Sequence, residues 1–291
     1  MKEWTLSNGL SLPAVGFGTY KAAGEEAVDA AFEAGYRYFD TAAFYGNEEA
    51  VGRALTRQPR EQWQVATKIW KTELGYDKAW ASFEGSLRRL GTEYVDVLLI
   101  HWPKAAPNDP DWQRLHRDTW RAMGEIQAQG LARTIGGSTF LPHHMENLGV
   151  TANVPPAIDQ IEFHPGYLQE ETLDYCRAHG IQVQAWSPLG RMRMMGHPLL
   201  VELAEKYGVS PAQICLRFAL EMGVMPLPKS SDPKRMTENL ALSSFSLEPV
   251  DVERIRGMEE AGWSGEHPDR ERAMLLSLIH ISEPTRLQLI S

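Results

Sequence analysis

Residues 64–101, QVATKIWKTELGYDKAWASFEGSLRRLGTEYVDVLLIH, decide the fold of this chain. Two short apolar runs, 64–69 and 95–101, are predicted β-strands, and the stretch between them at 78–90 has a helical pattern. A helix between two such strands acts as a crossover, so the strands run parallel in one sheet. The segment therefore predicts an α/β protein with a parallel sheet.

The same alternation continues in both directions from this segment. The predicted strands are 15–18, 37–40, 64–69, 95–101, 132–136, 157–161, 181–185 and 224–228. The predicted helices are 24–34, 48–56, 78–90, 112–129, a short one after Pro142, 170–179, 211–222 and 232–242.

Eight strand-helix units in roughly 250 residues fit a closed (β/α)8 or TIM barrel better than an open doubly wound sheet. No GxGxxG pattern follows the first strand, so the dinucleotide fingerprint of a doubly wound fold is missing. Residues 5–13 are a predicted hairpin that turns at Asn8 and Gly9, and we expect it to close the bottom of the barrel. We expect residues 1–274 to form a single domain.

The segment 275–291, LLSLIHISEPTRLQLIS, has neither a clean helical nor a clean strand period. It resembles the translation of a sequencing-library adapter joined to a coding region. We therefore interpret it as non-native and leave it out of the fold prediction.

Composition and charge limit the classes of partner. The 291 residues carry a net charge of −9, which argues against binding to nucleic acid or to an anionic membrane. Neither a secretory signal nor a run long enough to span a bilayer is evident. The two cysteines, Cys176 and Cys215, fit small buried side chains in a reducing compartment. We expect a cytoplasmic monomer that acts on a small molecule.

Polar side chains lie where three successive predicted strands end, which is the face of such barrels that carries the active site. Asp40 ends the second strand, with Tyr45 five residues later, while Lys68 and His101 end the third and fourth. Each has an ordinary structural explanation: a helix cap for Asp40, ring packing for Tyr45, a solvated strand end for Lys68 and a satisfied core histidine for His101. Their common position favours a site.

Together these side chains fit an acid catalyst centred on tyrosine. A tyrosine hydroxyl has a pKa near 10 and donates its proton poorly to a nascent alkoxide. We expect Lys68 to lower the pKa of Tyr45, and Asp40 to keep the lysine charged and oriented. His101 is positioned to donate to a carbonyl oxygen and stabilise the negative charge that develops there.

Eight motifs in register resemble the aldo-keto reductase superfamily, and most of all its bacterial branch that includes the 2,5-diketo-gluconic acid reductases. They extend over residues 3–270 and are GFGTY, DTAAFYGNE, VATKIW, VDVLLIHWP, IGGSTF, IDQIEFHP, AWSPLG and LPKSSDPKRMTENL. The resemblance implies reduction of aldehydes and ketones by NADPH. It makes Tyr45 the proton donor, assigns its tuning to Lys68 and Asp40, and has His101 orient the carbonyl.

The resemblance also implies which residues bind the cofactor. Ser138 and Gln160 hold the nicotinamide carboxamide, Trp186 stacks on the ring, and Lys229 and Arg235 receive the 2′-phosphate. The full predicted set is Thr19, Asp40, Ser138, Thr139, Gln160, Trp186, Ser187, Leu189, Gly190, Lys229, Ser230, Arg235, Glu238 and Asn239. The family usually has Asn at the Thr139 position and Tyr at the Trp186 position.

The substrate pocket implied by the resemblance is aromatic, and no metal ion is implied. Its predicted walls are Tyr20, Phe44, Trp70, Trp102 and the loop 104–112. For Trp186, simple core packing is the alternative. For the patch around Arg235, the alternative is a solvated loop and helix start.

Two other function classes compete with a reductase. A nicotinamide-binding protein without turnover shares the fold in some relatives, because a fold does not fix a function. A metal-dependent barrel hydrolase or isomerase needs clustered His and carboxylate ligands at the strand ends, and only His101 and Asp40 qualify.

Overall fold

A computed structural model describes residues 3–22 and 24–270 of the chain. The strands are β1 Trp4–Thr5, β2 Ser11–Leu12, β3 Phe17–Gly18, β4 Tyr38–Asp40, β5 Gln64–Ile69, β6 Val95–Ile100, β7 Ala132–Ser138, β8 Ile158–Glu162, β9 Gln182–Trp186 and β10 Met225–Pro226. The α-helices are α1 Gly24–Ala34, α2 Glu48–Leu55, α3 Tyr76–Leu90, α4 Trp112–Ala128, α5 Pro142–Gly149, α6 Glu170–Ala178, α7 Pro198–Tyr207, α8 Pro211–Glu221, α9 Pro233–Leu240 and α10 Pro249–Arg256.

Strands β3 to β10 form one parallel eight-stranded sheet in which the order in space follows the order in the chain. Two backbone hydrogen bonds join its edges, from Gly16 N to Pro226 O (3.1 Å) and from Gly18 N to Pro228 O (3.0 Å). The sheet therefore curls until its edges meet, with helices on its outer side, as in a (β/α)8 barrel.

Alternation along the strands separates two apolar layers. In β6, Val97 and Leu99 belong to a buried cluster with Ala66, Ile158 and Met225 inside the sheet. Leu98 and Ile100 instead belong to the larger cluster between the sheet and the helices. The following residue, His101, continues the alternation and so turns toward the inside.

The predicted hairpin is present, since β1 and β2 pair antiparallel. Leu6 and Leu12 are buried in the same cluster as the inner strand residues. Its turn also contacts the start of β7, because Asn8 Nδ2 donates to the carbonyl of Arg133 (3.0 Å).

All eight predicted strands and all eight predicted helices are present, with shifts of one or two residues at several ends. Helices α7 and α10 were not predicted; each begins with a proline, which suits the first position of a helix. Among the described residues, none of the helices is both long and apolar enough to cross a bilayer. The segment 275–291, interpreted above as non-native, lies outside the described residues.

Candidate active site

The structure brings the four predicted catalytic side chains together at one end of the sheet. Asp40 is the last residue of β4, and Tyr45 ends a 3-10 turn that follows it, Ala43–Tyr45. Lys68 lies in β5, and His101 directly follows β6. Since β4, β5 and β6 are neighbours in the sheet, their carboxyl ends place these groups side by side.

Lys68 is fully buried at the centre of this group. Its Nζ lies 2.7 Å from both carboxylate oxygens of Asp40, 3.0 Å from the carbonyl of Thr41 and 3.3 Å from the Tyr45 hydroxyl. Burial lowers the pKa of Lys68, while the adjacent Asp40 charge opposes this change. The carboxylate thus compensates a cation that would otherwise be costly to bury.

Tyr45 does not have the lowered pKa that was expected from its contact with Lys68. Burial raises the pKa of Tyr45 well above 10, and the negative charge of Asp40 raises it further. The physical reason is that Asp40 contacts the ammonium through both oxygens. The pair therefore exerts little net positive field at the hydroxyl, and desolvation of the phenolate dominates.

The hydrogen-bond geometry nevertheless leaves the Tyr45 proton available. The hydroxyl oxygen accepts from Lys68 Nζ, so its own hydrogen points elsewhere. A raised pKa keeps that hydrogen in place at neutral pH. Tyr45 therefore keeps its hydroxyl hydrogen, and the contact with Lys68 Nζ restricts the direction in which this hydrogen points.

His101 is buried and neutral. Burial lowers its pKa well below 6.5, and the Lys68 charge lowers it further. Its ring lies edge-on to those of Trp70 (4.9 Å between centroids) and Tyr45 (5.5 Å). Within the described residues, its buried Nδ1 has no hydrogen-bond partner. Most buried polar atoms have a partner, so the position of this one beside Tyr45 fits a side chain that meets a ligand.

The predicted substrate-pocket residues surround this group to differing degrees. Phe44 and Trp70 stack with ring centroids 3.8 Å apart, and Tyr20 packs on Tyr45 at 4.8 Å. Tyr20 and Phe44 are exposed at the rim, which is unusual for large aromatic rings. Trp102 is half-buried beside His101 in the chain.

The predicted nicotinamide residues lie on the neighbouring strands. Gln160 Nε2 donates to Asp40 Oδ1 (2.7 Å), which links β8 directly to the predicted catalytic group. Ser138 Oγ and Thr139 N both donate to the Gln160 carbonyl, at 3.0 and 2.9 Å. Thr19 Oγ1 donates to the Asp40 carbonyl (2.9 Å).

The backbone is strained at the points where a cofactor is expected. Thr139 and Ser187 have φ values of 61° and 52°, a backbone conformation that residues other than glycine rarely adopt. Trp186 and Leu189 are half-buried, and Gly190, with φ 55°, begins a 3-10 turn that follows β9. Strain of this kind concentrates at ligand-binding sites.

The predicted phosphate patch lies at the start of α9. Lys229 and Arg235 are exposed, and the closest carboxylate approach to Arg235 is a loose 3.6 Å contact with Asp232. Ser230 is buried, and its hydroxyl donates to the Asp232 carbonyl (3.2 Å). Glu238 is half-buried, whereas Asn239 is buried and hydrogen-bonds the Tyr36 side chain.

One group of potential metal ligands was found within the described part of the chain. His143, His144 and Asp269 have ligand atoms close enough to hold a metal ion. However, His144 Nδ1 accepts from Leu141 N, so its Nε2 carries the proton that faces Asp269. Lys104 also pairs with Asp269. The group is thus a hydrogen-bonded ion cluster.

Three polar residues near the catalytic group escaped the sequence analysis. Asn47 connects the loop of Tyr45 to the first strand, because it donates to the Thr19 carbonyl (2.9 Å) and accepts from Thr41 (2.8 Å). Gln184 and Tyr38 form a buried pair below Gln160. The alternation in β4 and β9 predicts that Tyr38 and Gln184 face inward, because each lies two positions before a predicted site residue.

Comparison with known proteins gives the same assignment over most of the chain. The model of the Aldo/keto reductase family matches residues 14–260. Glyoxal reductase of Bacillus subtilis is 38% identical, with 91% of this chain and 95% of that protein covered. 2,5-Diketo-D-gluconic acid reductase B of Corynebacterium sp. is 39% identical, covering 93% and 98%.

A solved structure agrees with these relatives. The aldo-keto reductase of Bombyx mori in complex with NADP matches with a TM-score of 0.79 at 34% identity, covering 87% of this chain and 91% of that one. Sequence, fold and the arrangement of strand-end residues therefore agree, and the chain belongs to the aldo/keto reductase family.

Proposed function

We propose that this protein reduces aldehydes and ketones to alcohols with NADPH, and that Tyr45 donates the proton. The observation that carries the proposal is the contact between Lys68 Nζ and the Tyr45 hydroxyl, with Asp40 neutralising the lysine. This arrangement orients a protonated hydroxyl toward the pocket that holds His101.

The residues divide the work as follows. The neutral imidazole of His101 donates to the carbonyl oxygen and positions it beside Tyr45. The Tyr45 hydroxyl then transfers its proton to that oxygen as negative charge develops. Lys68 Nζ stays hydrogen-bonded to the phenolate oxygen that remains, and Asp40 keeps the lysine in place. NADPH, when bound, supplies the hydride to the carbonyl carbon.

Several features of the chain fit this cofactor. Gln160 lies beside Asp40 with its backbone fixed by Ser138 and Thr139, as a residue that recognises an amide requires. Trp186 is half-buried at the end of β9 and offers a ring for stacking. Lys229 and Arg235 are exposed cations on a protein of net charge −9, so they suit the 2′-phosphate. Ser187, Leu189 and Gly190 suit the pyrophosphate, and Ser230, Glu238 and Asn239 the adenosine side.

The setting of the site is part of the same proposal. We infer that the hairpin closes the barrel at the end opposite the active site, that residues 1–274 are one domain, and that the protein acts as a cytoplasmic monomer on a small carbonyl compound. The unpaired, buried state of Cys176 and Cys215 supports a reducing compartment.

Tyr45→Phe tests the proposal directly. We expect kcat for an aldehyde such as methylglyoxal to fall by ~10²–10⁴-fold, because the ring remains and the proton does not. The Kd for NADPH, measured by quenching of tryptophan fluorescence, should stay nearly unchanged. Tyr175→Phe is the matched control. Tyr175 lies in helix α6, away from the site, and its ring stacks on His179 at the end of that helix.

The competing functions give different results. If Tyr45→Phe keeps most of the kcat, Tyr45 is not the proton donor. Tight NADPH binding without turnover in the unmodified protein supports a binding protein instead. Loss of activity on addition of a chelator supports a metal-dependent enzyme.

A further inference from the structure

A chain of buried polar groups lies below the catalytic residues, toward the inside of the barrel. Gln160 in β8 and Gln184 in β9 are direct partners across these neighbouring strands. Both are buried, as is Tyr38 in β4. Polar side chains at this depth are costly unless each hydrogen bond is made, so their orientation is constrained.

The hydrogen bonds of Gln160 fix which end of its amide faces which neighbour. Its Nε2 donates to Asp40 Oδ1 at 2.7 Å and to Gln184 Oε1 at 3.1 Å. A primary amide nitrogen has two hydrogens, so both are committed within the protein. The carbonyl Oε1 is therefore the group of Gln160 that remains to recognise a bound cofactor, and it recognises a donor.

Gln184 is contacted in turn from the other side. Its Nε2 donates to the Tyr38 hydroxyl at 3.2 Å and approaches Met225 Sδ at 3.5 Å, while the same hydroxyl lies 3.4 Å from Gln184 Oε1. The direction of the amide therefore follows from Gln160, whose Nε2 needs an acceptor and finds it in Gln184 Oε1. If Gln184 were reversed, its nitrogen would face the nitrogen of Gln160, and two donors would meet without an acceptor.

We propose that Gln184 is a positioning residue for cofactor recognition. It holds the amide of Gln160 with the nitrogen toward Asp40 and the carbonyl toward the carboxamide N–H of the nicotinamide. The proposal rests on the proposed function, because it requires NADPH as the cofactor. Gln184 itself touches neither cofactor nor substrate, and acts through Gln160.

The test compares two cofactors that differ in one group. 3-Acetylpyridine adenine dinucleotide phosphate keeps the carbonyl of the carboxamide but replaces its NH2 with a methyl group. The unmodified protein should bind NADP⁺ about three- to tenfold more tightly than this analogue, the range for one hydrogen bond. Gln184→Met keeps the length of the side chain and removes its acceptor. We expect this variant to bind NADP⁺ about three- to tenfold more weakly and the analogue unchanged, so the ratio approaches one.

If Gln184 has only a structural role, its replacement should lower the thermal midpoint without changing the ratio of the two Kd values. Ile158→Val is the matched control, since this residue is also buried inside the barrel in β8 and offers no polar group. We expect it to lower the thermal midpoint without changing the ratio of the two Kd values. Tyr38→Phe removes only the hydroxyl that contacts the Gln184 amide and should reduce the ratio by a smaller factor. This variant decides the question if Gln184→Met does not fold.

The outcomes separate this inference from the proposed function. The positioning role is overturned if the Gln184 variant binds NADP⁺ and the analogue more weakly by the same factor. It is also overturned if the ratio of the two Kd values is unchanged in both the Gln184 and Tyr38 variants. Neither result contradicts the proposed reductase activity. An unmodified protein that does not bind NADP⁺ overturns the proposed function as well.

Discussion

Asp159 is a buried carboxyl group that the proposed mechanism does not use. It lies between Ile158 and Gln160 in β8, so alternation turns it away from the inner side chains and toward the helices. Its Oδ1 accepts weakly from Phe140 N (3.4 Å), and its Oδ2 has no partner within the described residues. Burial raises its pKa to about 8. At neutral pH the group is therefore mostly protonated in the folded protein.

This pKa predicts how stability changes with pH. The folded state keeps the Asp159 proton up to about pH 8, whereas the unfolded chain loses it near the ordinary value of 3.8. The contribution of this group to the free energy of unfolding therefore decreases from about pH 4 to about pH 8, by at most ~1.4 kcal/mol per pH unit. Asp159→Asn should remove the decrease. The thermal midpoint of this variant should therefore rise relative to that of the unmodified protein as the pH increases from 5 to 8.

The control for this prediction is an exposed carboxylate. Asp77 is exposed at the start of α3, and Asp77→Asn should shift the midpoint by the same amount at pH 5 and pH 8. A difference between Asp159→Asn and the unmodified protein that does not change with pH would show that Asp159 does not retain its proton on folding.

At the scale of one element, helix α9 has positive side chains at its N-terminal end, where the helix dipole is also positive. Lys234 and Arg235 lie in the first turn of the helix, where the dipole disfavours cations, and that turn has no acidic residue. The Asp232 side chain caps the helix through Lys234 N (2.9 Å). Cations that remain exposed in this position favour a bound anion, and the adenosine 2′-phosphate is the anion expected here.

Arg235→Ala should therefore discriminate between the two nicotinamide cofactors. A charge-assisted contact contributes ~1.5–3 kcal/mol, so the Kd for NADPH should rise by about one to two decades while that for NADH hardly changes. Titration of both cofactors by tryptophan fluorescence gives the comparison. Arg256→Ala on α10 is the control, because this exposed arginine pairs with Glu170 and Glu253. Equal losses for NADH and NADPH contradict a contact with the 2′-phosphate.

At the scale of the whole molecule, close approach between strands decides where side chains fit. Gly136 in β7 pairs with Leu99 on one side and Ile158 on the other. A Cβ at Gly136 would lie 2.4 Å from the Ile158 carbonyl oxygen, which is backbone and cannot move aside. By contrast, a Cβ at Gly124 in helix α4 would meet nothing within 4 Å. The barrel therefore needs one glycine and tolerates replacement of the other.

Two matched substitutions test this reading and should have opposite signs. Gly136→Ala should destabilise the protein by about 1–3 kcal/mol, as overpacking does, which lowers the thermal midpoint by several degrees. Gly124→Ala should stabilise it by about 0.5–1 kcal/mol, because alanine favours a helix interior. Stabilisation by both substitutions would mean that β7 can separate from β8 at little cost.

The sequence by itself determined the eight strand-helix units, the three strand-end residues and the nearby Tyr45. These follow from local pattern: apolar runs and helical stretches alternate, and Asp40, Lys68 and His101 stand where strands end. Parallel connection then brings these ends to one edge without further information. The cofactor residues required the family motifs, because nothing local distinguishes Gln160 from any other inward-facing strand residue.

Only the tertiary structure decided how these groups behave. The direction of the Tyr45 pKa depends on burial and on the contact of Asp40 with Lys68, which join β4 and β5. The amide nitrogen of Gln160 finds its two acceptors in Asp40 and Gln184, which lie on other strands. Ionisation and hydrogen-bond direction are set by the local dielectric and by partners distant in the chain, and no local sequence pattern encodes either.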